Sequence, residues 1–140
     1  MANVFYDNGK KNLLNGNVVL PTHNIYVMLV DNSYTPNQTS HEFRSSISGE
    51  VTGTGYTAGG MALTTKAVTA DTTNHRGKFT ADNATWSTAT ITAYGAVLYR
   101  SRGGASSADE LIGYIDFGGA VSSSAGNFTI QWDSAGILYI

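Results

Sequence analysis

The stretch EVTGTGYTAGG, residues 50–60, has the residue types that could bind a phosphate. Gly53, Gly55 and Ala58 match the spacing of a dinucleotide-binding turn, in which a strand enters and a helix leaves with free N–H groups at its N-terminus. Here the chain continues as MALTTKAVTAD, a threonine-rich pattern typical of a strand. The sequence therefore predicts a glycine turn between strands, with positive φ angles and Tyr56 packed over the bend.

Other side chains with reactive groups lack the arrangement that catalysis or metal binding needs. The three histidines, His23, His41 and His75, lie in separate polar segments without metal-ligand spacing. Asp109 and Glu110 are adjacent in a Gly/Ser-rich loop, where neighbours point apart, so we expect a solvated loop and not an acid–base pair. The chain has no cysteine and no nucleophile elbow. The sequence predicts no catalytic, cofactor-binding or metal-binding residue, and hence not an enzyme.

The composition favours sheets over helices. The 140 residues fit one domain, residues 1–140, and only 13% are charged, whereas long helices carry many Glu, Lys and Arg residues. Polar positions are occupied mainly by Thr, Ser and Asn, which suit strands and turns. The sequence predicts an all-β protein.

Charge and hydropathy argue against two classes of partner. The formal net charge is −2, from 8 basic and 10 acidic residues without a basic stripe, so we expect no nucleic-acid binding. The longest apolar run, Ile25–Val30, is too short to cross a bilayer, so we expect no membrane partner. The N-terminal residues lack the order of a signal peptide, which predicts synthesis in a host cytoplasm.

The first half of the chain contains one helix signal followed by strand signals. A short helix is predicted from Asp7 or Asn8 to Leu14, ended by Asn15-Gly16. Ile25–Asp31 is predicted to be a buried strand and MALTTKAVTAD a single further strand. The residues around the loop DTTNHRG are typical of a hairpin.

The second half adds the longest strand signal, ATITAYGAVLYRS. Strict alternation would place Ile91, Ala93, Gly95, Val97 and Tyr99 on one face, and since both faces are apolar we expect a central strand covered on both sides. LIGYIDF predicts a strand, GGAVSSSAG a turn, and NFTIQWD with GILYI the closing strands. The spacing of these signals predicts a single β-sandwich or jelly-roll-like domain of about seven or eight strands, with the short N-terminal helix.

Aromatic and apolar residues are the candidates for contacts with other molecules. Residues 1–6 are interpreted as an extended arm that could add a strand to a neighbour's sheet. Trp86, between DNAT and STAT, is expected at a strand edge as an exposed contact. The predicted interface residues are Val4, Phe5, Tyr6, Tyr34 and Trp86.

Four ordered blocks along almost the whole chain carry a family resemblance: YTPNQTSHEFR, EVTGTGYTAGG, IGYIDFG and FTIQWDSAGI. With them the chain resembles small structural proteins, of the head decoration or cement kind, of tailed bacteriophages. The resemblance implies a virion protein on the head surface that decorates or stabilises the capsid by protein–protein contacts. It also implies the major capsid protein or other virion subunits as partners, and a homo-oligomer, trimer or dimer.

Two alternative functions stay open. One is a tail, baseplate or fibre component of the same kind of particle. The other is a glycan-binding adhesin module that uses Trp86 and loop tyrosines such as Tyr34.

Overall fold

The computed structural model describes residues 3–140 and contains eight strands, one short α-helix and two single 3₁₀ turns, Arg44–Ser46 and Ser106–Ala108. The prediction of an all-β, sandwich-like domain with a short N-terminal helix is therefore confirmed. In chain order the elements are β1 (Val4–Phe5), α1 (Asp7–Leu14), β2 (Ile25–Val30), β3 (Met61–Ala62), β4 (Ala67–Asp71), β5 (Arg76–Thr80), β6 (Ala84–Arg100), β7 (Leu111–Ile130) and β8 (Leu138–Tyr139).

The strands form a large and a small antiparallel sheet. The large sheet has the order β1-β7-β6-β2-β3 and the small sheet the order β4-β5-β8. The main core lies between them, where Phe79 of β5 and Ile137 beside β8 pack with Val27 of β2 and Leu98 of β6. Burial of these side chains holds the two sheets together, since each apolar side chain removed from water contributes roughly 1.5–3 kcal/mol.

A second apolar cluster covers the opposite face of the large sheet. It joins Met28 and Val97 from the sheet to Tyr34 from the segment between β2 and β3, and to Tyr6 before α1. Both faces of the sheet are therefore buried along β6, which confirms the prediction of a central strand.

The assignment of faces along β6 was wrong, because bulges interrupt the alternation. The register with β7 shifts between Trp86 and Ala89 and again between Ala93 and Gly95. Each extra residue moves the following side chains to the other face of a strand. Ala93 therefore packs in the main core, whereas Val97, predicted on the same face, packs in the second cluster.

β7 runs through the segment predicted to be a turn. Its pairs with β6 include Gly95–Asp116 and Ala93–Val121, so residues 117–120 of β7 lie opposite Tyr94 alone. Gly118 has φ +76°, which lets the chain bulge out and return to the same ladder. The glycine pair in GGAVSSSAG thus makes a bulge in a 20-residue strand and not a turn.

The segment predicted as one strand after the glycine stretch is divided between the sheets. Met61–Ala62 pairs with β2 in the large sheet, and Ala67–Asp71 pairs with β5 in the small sheet. Thr65, with φ +54°, lies at the crossing. The predicted helix and the predicted hairpin are confirmed as α1 and as the β4–β5 pair.

Candidate functional site: the uncovered side of the small sheet

Trp86 is a core residue, so the prediction of an exposed contact was wrong. Its side chain is 4% exposed, and its ring lies 5.9 Å from Tyr56 and 6.0 Å from Phe128 between centroids. The cause is the backbone of Thr88, whose φ of +50° accompanies the first bulge of β6. Because of this bulge, both Trp86 and Ala89 face the main core.

Tyr6 and Tyr34, also predicted at an interface, are buried and bonded to each other. Their hydroxyls are 2.6 Å apart, and the Tyr34 hydroxyl lies 2.9 Å from His41 Nδ1. Burial raises the pKa of Tyr34 to about 12 and that of Tyr6 still further. The two side chains fasten the segment after β2 to the start of α1, and their prediction as interface residues was wrong because neither reaches the surface.

The predicted N-terminal arm is not an arm over residues 4–6. Val4 and Phe5 form β1, which pairs with Tyr114 and Gly113 of the same chain, and both side chains are half-buried. Met1 and Ala2 lie outside the described residues. Of the predicted interface residues, Phe5 alone contributes to the uncovered surface described below.

The glycine stretch is a turn that binds its own carboxylate. Glu50 Oε2 accepts hydrogen bonds from the Tyr56 hydroxyl and from the Gly59 N–H, both at 2.7 Å. Gly60 has φ +80° and packs directly against the Val27 carbonyl, and β3 follows it. The turn prediction is confirmed. The Gly59 N–H, which a phosphate bound at this turn would need, already donates its hydrogen bond to Glu50.

Asp109 and Glu110 are buried, so the prediction of a solvated loop was wrong. They are 1% and 3% exposed, and each pairs with an arginine. Arg44 Nε lies 2.8 Å from Asp109 Oδ2, and Arg102 Nε lies 2.6 Å from Glu110 Oε1. The hydrogen bond to Glu110 raises the pKa of Arg102. These two acids, with their arginines, form what we call the acid–arginine cluster, which holds the β6–β7 loop to residues 43–44.

The histidines use their ring nitrogens within the fold or lie in solvent. His23 Nδ1 accepts the Val19 N–H at 2.9 Å, and His41 Nδ1 accepts the Asn37 N–H at 3.2 Å. Burial lowers the pKa of both imidazoles. His75 is exposed in the β4–β5 loop. Within residues 3–140, no three His, Cys, Asp or Glu side chains are grouped so that they could hold a metal ion.

The inner face of the small sheet is partly uncovered. Val68 is paired with the buried Phe79 and shares its face, yet Val68 is 51% exposed. Ile140, which exchanges two backbone hydrogen bonds with Gly77, is 70% exposed. These residues line a cavity of about 120 Å³, the helix-side groove, whose other walls are Phe5, Leu13, Leu20 and Leu138.

A second cavity, the edge groove, opens between β7 and β8 and has a volume of about 380 Å³. Its lining includes Phe117 and Val121 from β7, Trp132 and Asp133 from the chain that follows, and Tyr139 from β8. Tyr139 lines both grooves, so the two meet at β8. The helix-side groove is lined mainly by apolar side chains, whereas the edge groove is also lined by polar side chains such as Asn3, Gln131 and Asp133. We call the surface of both grooves the β8 surface. Neither the exposed Val68 nor the grooves could be found from the alternation pattern, because alternation gives the face of a strand and not how completely distant elements cover that face.

In the described part of the chain, no helix has the length and apolar character required to span a membrane. No protein-family model, curated protein or solved structure matches the chain.

Proposed function

We propose that this chain is a structural protein of a phage virion, a capsid decoration or cement protein that binds other virion subunits through the β8 surface. The observation that carries the proposal is the exposure of Val68 and Ile140 on the core-facing side of a sheet, where both line the apolar helix-side groove. Contiguous apolar surface of this kind marks sites where proteins bind other proteins. The resemblance to phage structural proteins supplies the kind of partner.

The titratable groups support binding over catalysis. The carboxylates of Asp109, Glu110 and Glu50 are engaged by arginines, a tyrosine and a backbone amide of the same chain. A stable contact between proteins typically buries about 1,600 Å² in total. A smaller surface holds firmly when an oligomer engages several capsid subunits together, since linked contacts multiply their effective affinity.

A tail, baseplate or fibre protein could bind through the same surface. Copy number per particle distinguishes this alternative from a head protein. The glycan-binding alternative used Trp86 and loop tyrosines, and it is less favoured because Trp86 and Tyr34 are buried. Particles of the phage that encodes the chain should be purified and analysed by quantitative mass spectrometry and cryo-microscopy. We expect hundreds of copies on the head; a few copies would indicate the tail, and none would overturn the proposal.

A pair of variants in β4 tests the surface itself. Val68→Asp puts a carboxylate into the helix-side groove, and Thr69→Asp puts the same charge on the opposite face of the same strand. We expect Val68→Asp to lower the affinity for particles at least about tenfold, which corresponds to about 1.4 kcal/mol, because a buried unpaired charge is costly. Thr69→Asp should bind as the parent does. Equal occupancy of both variants would contradict a role for the helix-side groove.

A further inference from the structure

We propose that the edge groove receives an extended segment of a neighbouring virion subunit, which adds as a strand to the outer edge of β7. This inference rests on the proposed function and names the mode of binding and the chemistry of the partner segment. The proposed strand lies along Gly126–Ile130, between β7 and β8.

Among residues 3–140, the outer edge of β7 is unpaired over most of its length. β1 pairs with β7 only at Gly113 and Tyr114, and Asn3 Oδ1 then accepts the Asp116 N–H at 2.8 Å. From residue 117 to residue 130, no strand among residues 3–140 pairs with this edge. An antiparallel strand directs alternate N–H and C=O groups to each side, so those on the outer side of β7 are available to another strand.

The free edge lacks two of the features that normally prevent strand addition, charged side chains and proline. The residues FGGAVSSSAGNFTIQW, positions 117–132, include no charged residue and no proline. Natural edge strands are commonly blocked by lysine, proline or bulges. β7 has bulges opposite Tyr94 and near Ala125. Beyond them Gly126 and Phe128–Ile130 pair with β6, and the one register shift within this stretch, opposite Asn127, comes from an extra residue in β6 and not in β7. Five residues of strand provide about 17 Å of edge.

The second sheet meets this edge at the same groove. β8 is the last strand of the small sheet, and no strand among the described residues pairs with its outer side. Leu138 lies below Gly113, where an added Cβ would come within 3.3 Å of Leu138 Cδ2, so β8 runs beneath the β1–β7 edge. The buried Phe128 and Ile137 line the groove between the two edges. An inserted strand would therefore cover core residues as well as satisfy backbone groups.

The groove defines the chemistry of its occupant. Unpaired strand edges select a polypeptide backbone, since it alone repeats donors and acceptors at the matching interval. The aromatic rings of Phe117 and Trp132 select apolar side chains at alternate positions. Asp133 is the single carboxylate in the lining and is exposed, so a lysine or arginine at that end of the segment is favoured.

Hydrogen exchange measured on purified particles tests this mode of binding. The measurement compares the exchange rates of backbone amides in the particle-bound chain with those in the free chain. We expect amides within Gly126–Ile130 to exchange at least about tenfold more slowly on the particle, because a new strand would bond them, while amides in the exposed loop at Gly103–Ala105 keep their rate.

Two valines of nearly equal exposure provide a matched pair of variants. Val121, 41% exposed, lines the edge groove, whereas Val19, 39% exposed, lies outside both grooves. A lysine at position 121 would oppose both the apolar side chains and the basic residue of the partner segment. We expect Val121→Lys to lose at least about tenfold in particle occupancy and Val19→Lys to bind normally.

The outcomes separate this inference from the proposed function. A chain that binds particles, but with unchanged exchange at Gly126–Ile130 and normal occupancy of Val121→Lys, would overturn strand addition and leave the proposed function standing. Absence of the chain from particles would overturn both. Slow exchange at Gly126–Ile130 in the free protein, together with a dimer in light scattering, would assign the groove to a second copy and overturn the partner segment.

Discussion

The acid–arginine cluster and the β8 surface reverse the usual distribution of side chains in opposite ways. The cluster buries Asp109 and Glu110, which are mostly exposed residue types, and the β8 surface exposes Val68 and Ile140, which are mostly buried types. The buried acids are matched, because Arg44 and Arg102 neutralise them within the chain. The exposed apolar residues are unmatched within the chain, and their exposure is therefore the better indicator of an intermolecular role.

The cluster also shows why a perturbed or buried acid need not be functional. A buried, paired carboxylate can hold two loops together. The intact pair adds little net stability, but removal of one partner is strongly destabilising because it leaves the other charge buried and unpaired. The β8 surface contributes little to the stability of the isolated chain, since Val68 and Ile140 remain largely in water. Stability and binding should accordingly separate when the two regions are changed one at a time.

The largest expected effect comes from replacing a buried aromatic ring and comparing it with an exposed one. Trp86→Ala should lower the free energy of unfolding by about 4 kcal/mol, because it leaves a cavity beside Tyr56 and Phe128. Tyr139→Ala should cost only about 1 kcal/mol, since Tyr139 is half-exposed and its ring stacks with the Arg76 guanidinium, 3.9 Å from the ring centroid. Urea unfolding measures both. Equal losses would remove the distinction between interior and surface aromatics.

The next effect tests the acid–arginine cluster. Asp109→Ala should destabilise the protein by about 3 kcal/mol, because it removes the partner of Arg44 and the acceptor of the Arg102 N–H. Asp7→Ala is the control, since Asp7 is exposed and its Lys10 partner lies 4.0 Å away. Thermal and urea unfolding of the two variants should differ clearly; a loss below about 0.5 kcal/mol for Asp109→Ala would show that the cluster is dispensable.

The smallest effect concerns the pH dependence of stability and His41, which lies in the segment between β2 and β3 and contacts Tyr34 and Asn37 through Nδ1. Burial lowers the folded-state pKa of His41 below 6.5, so the unfolded chain binds the proton more readily. The stabilisation is fully present above pH 6.5 and is lost as the pH falls through the folded-state pKa. His23 acts in the same direction. The fall in melting temperature between pH 7 and pH 5 should be smaller in His41→Gln than in the parent; an equal fall would exclude His41 as a contributor.

Local pattern was sufficient for several elements. The apolar run of β2, the turn residues between β4 and β5 and the glycine after α1 each specify a backbone conformation through neighbours in sequence. The glycine stretch could be interpreted because a strand pattern, and not a helix pattern, follows it. These predictions depend on interactions between residues that are close in the chain, and such interactions can be inferred from a single sequence.

Distant partners decided the predictions that were wrong. Asp109 is buried because Arg44, 65 residues earlier, reaches it, and no local pattern contains that pairing. GGAVSSSAG continues a strand because β6 already holds both of its ends in register. Trp86 faces the core because bulges shift the alternation, and the extra residue in each bulge is defined only by counting against the opposite strand.

Composition and contacts between near neighbours are enough to predict the class of the fold, its short helix, most of its strands and the absence of cysteine chemistry. The three-dimensional arrangement was needed to learn which side chains are inside, which carboxylates are paired and which part of the small sheet remains uncovered. A strand presents two faces and two edges. Which of them is buried depends on its register with strands and loops far along the chain.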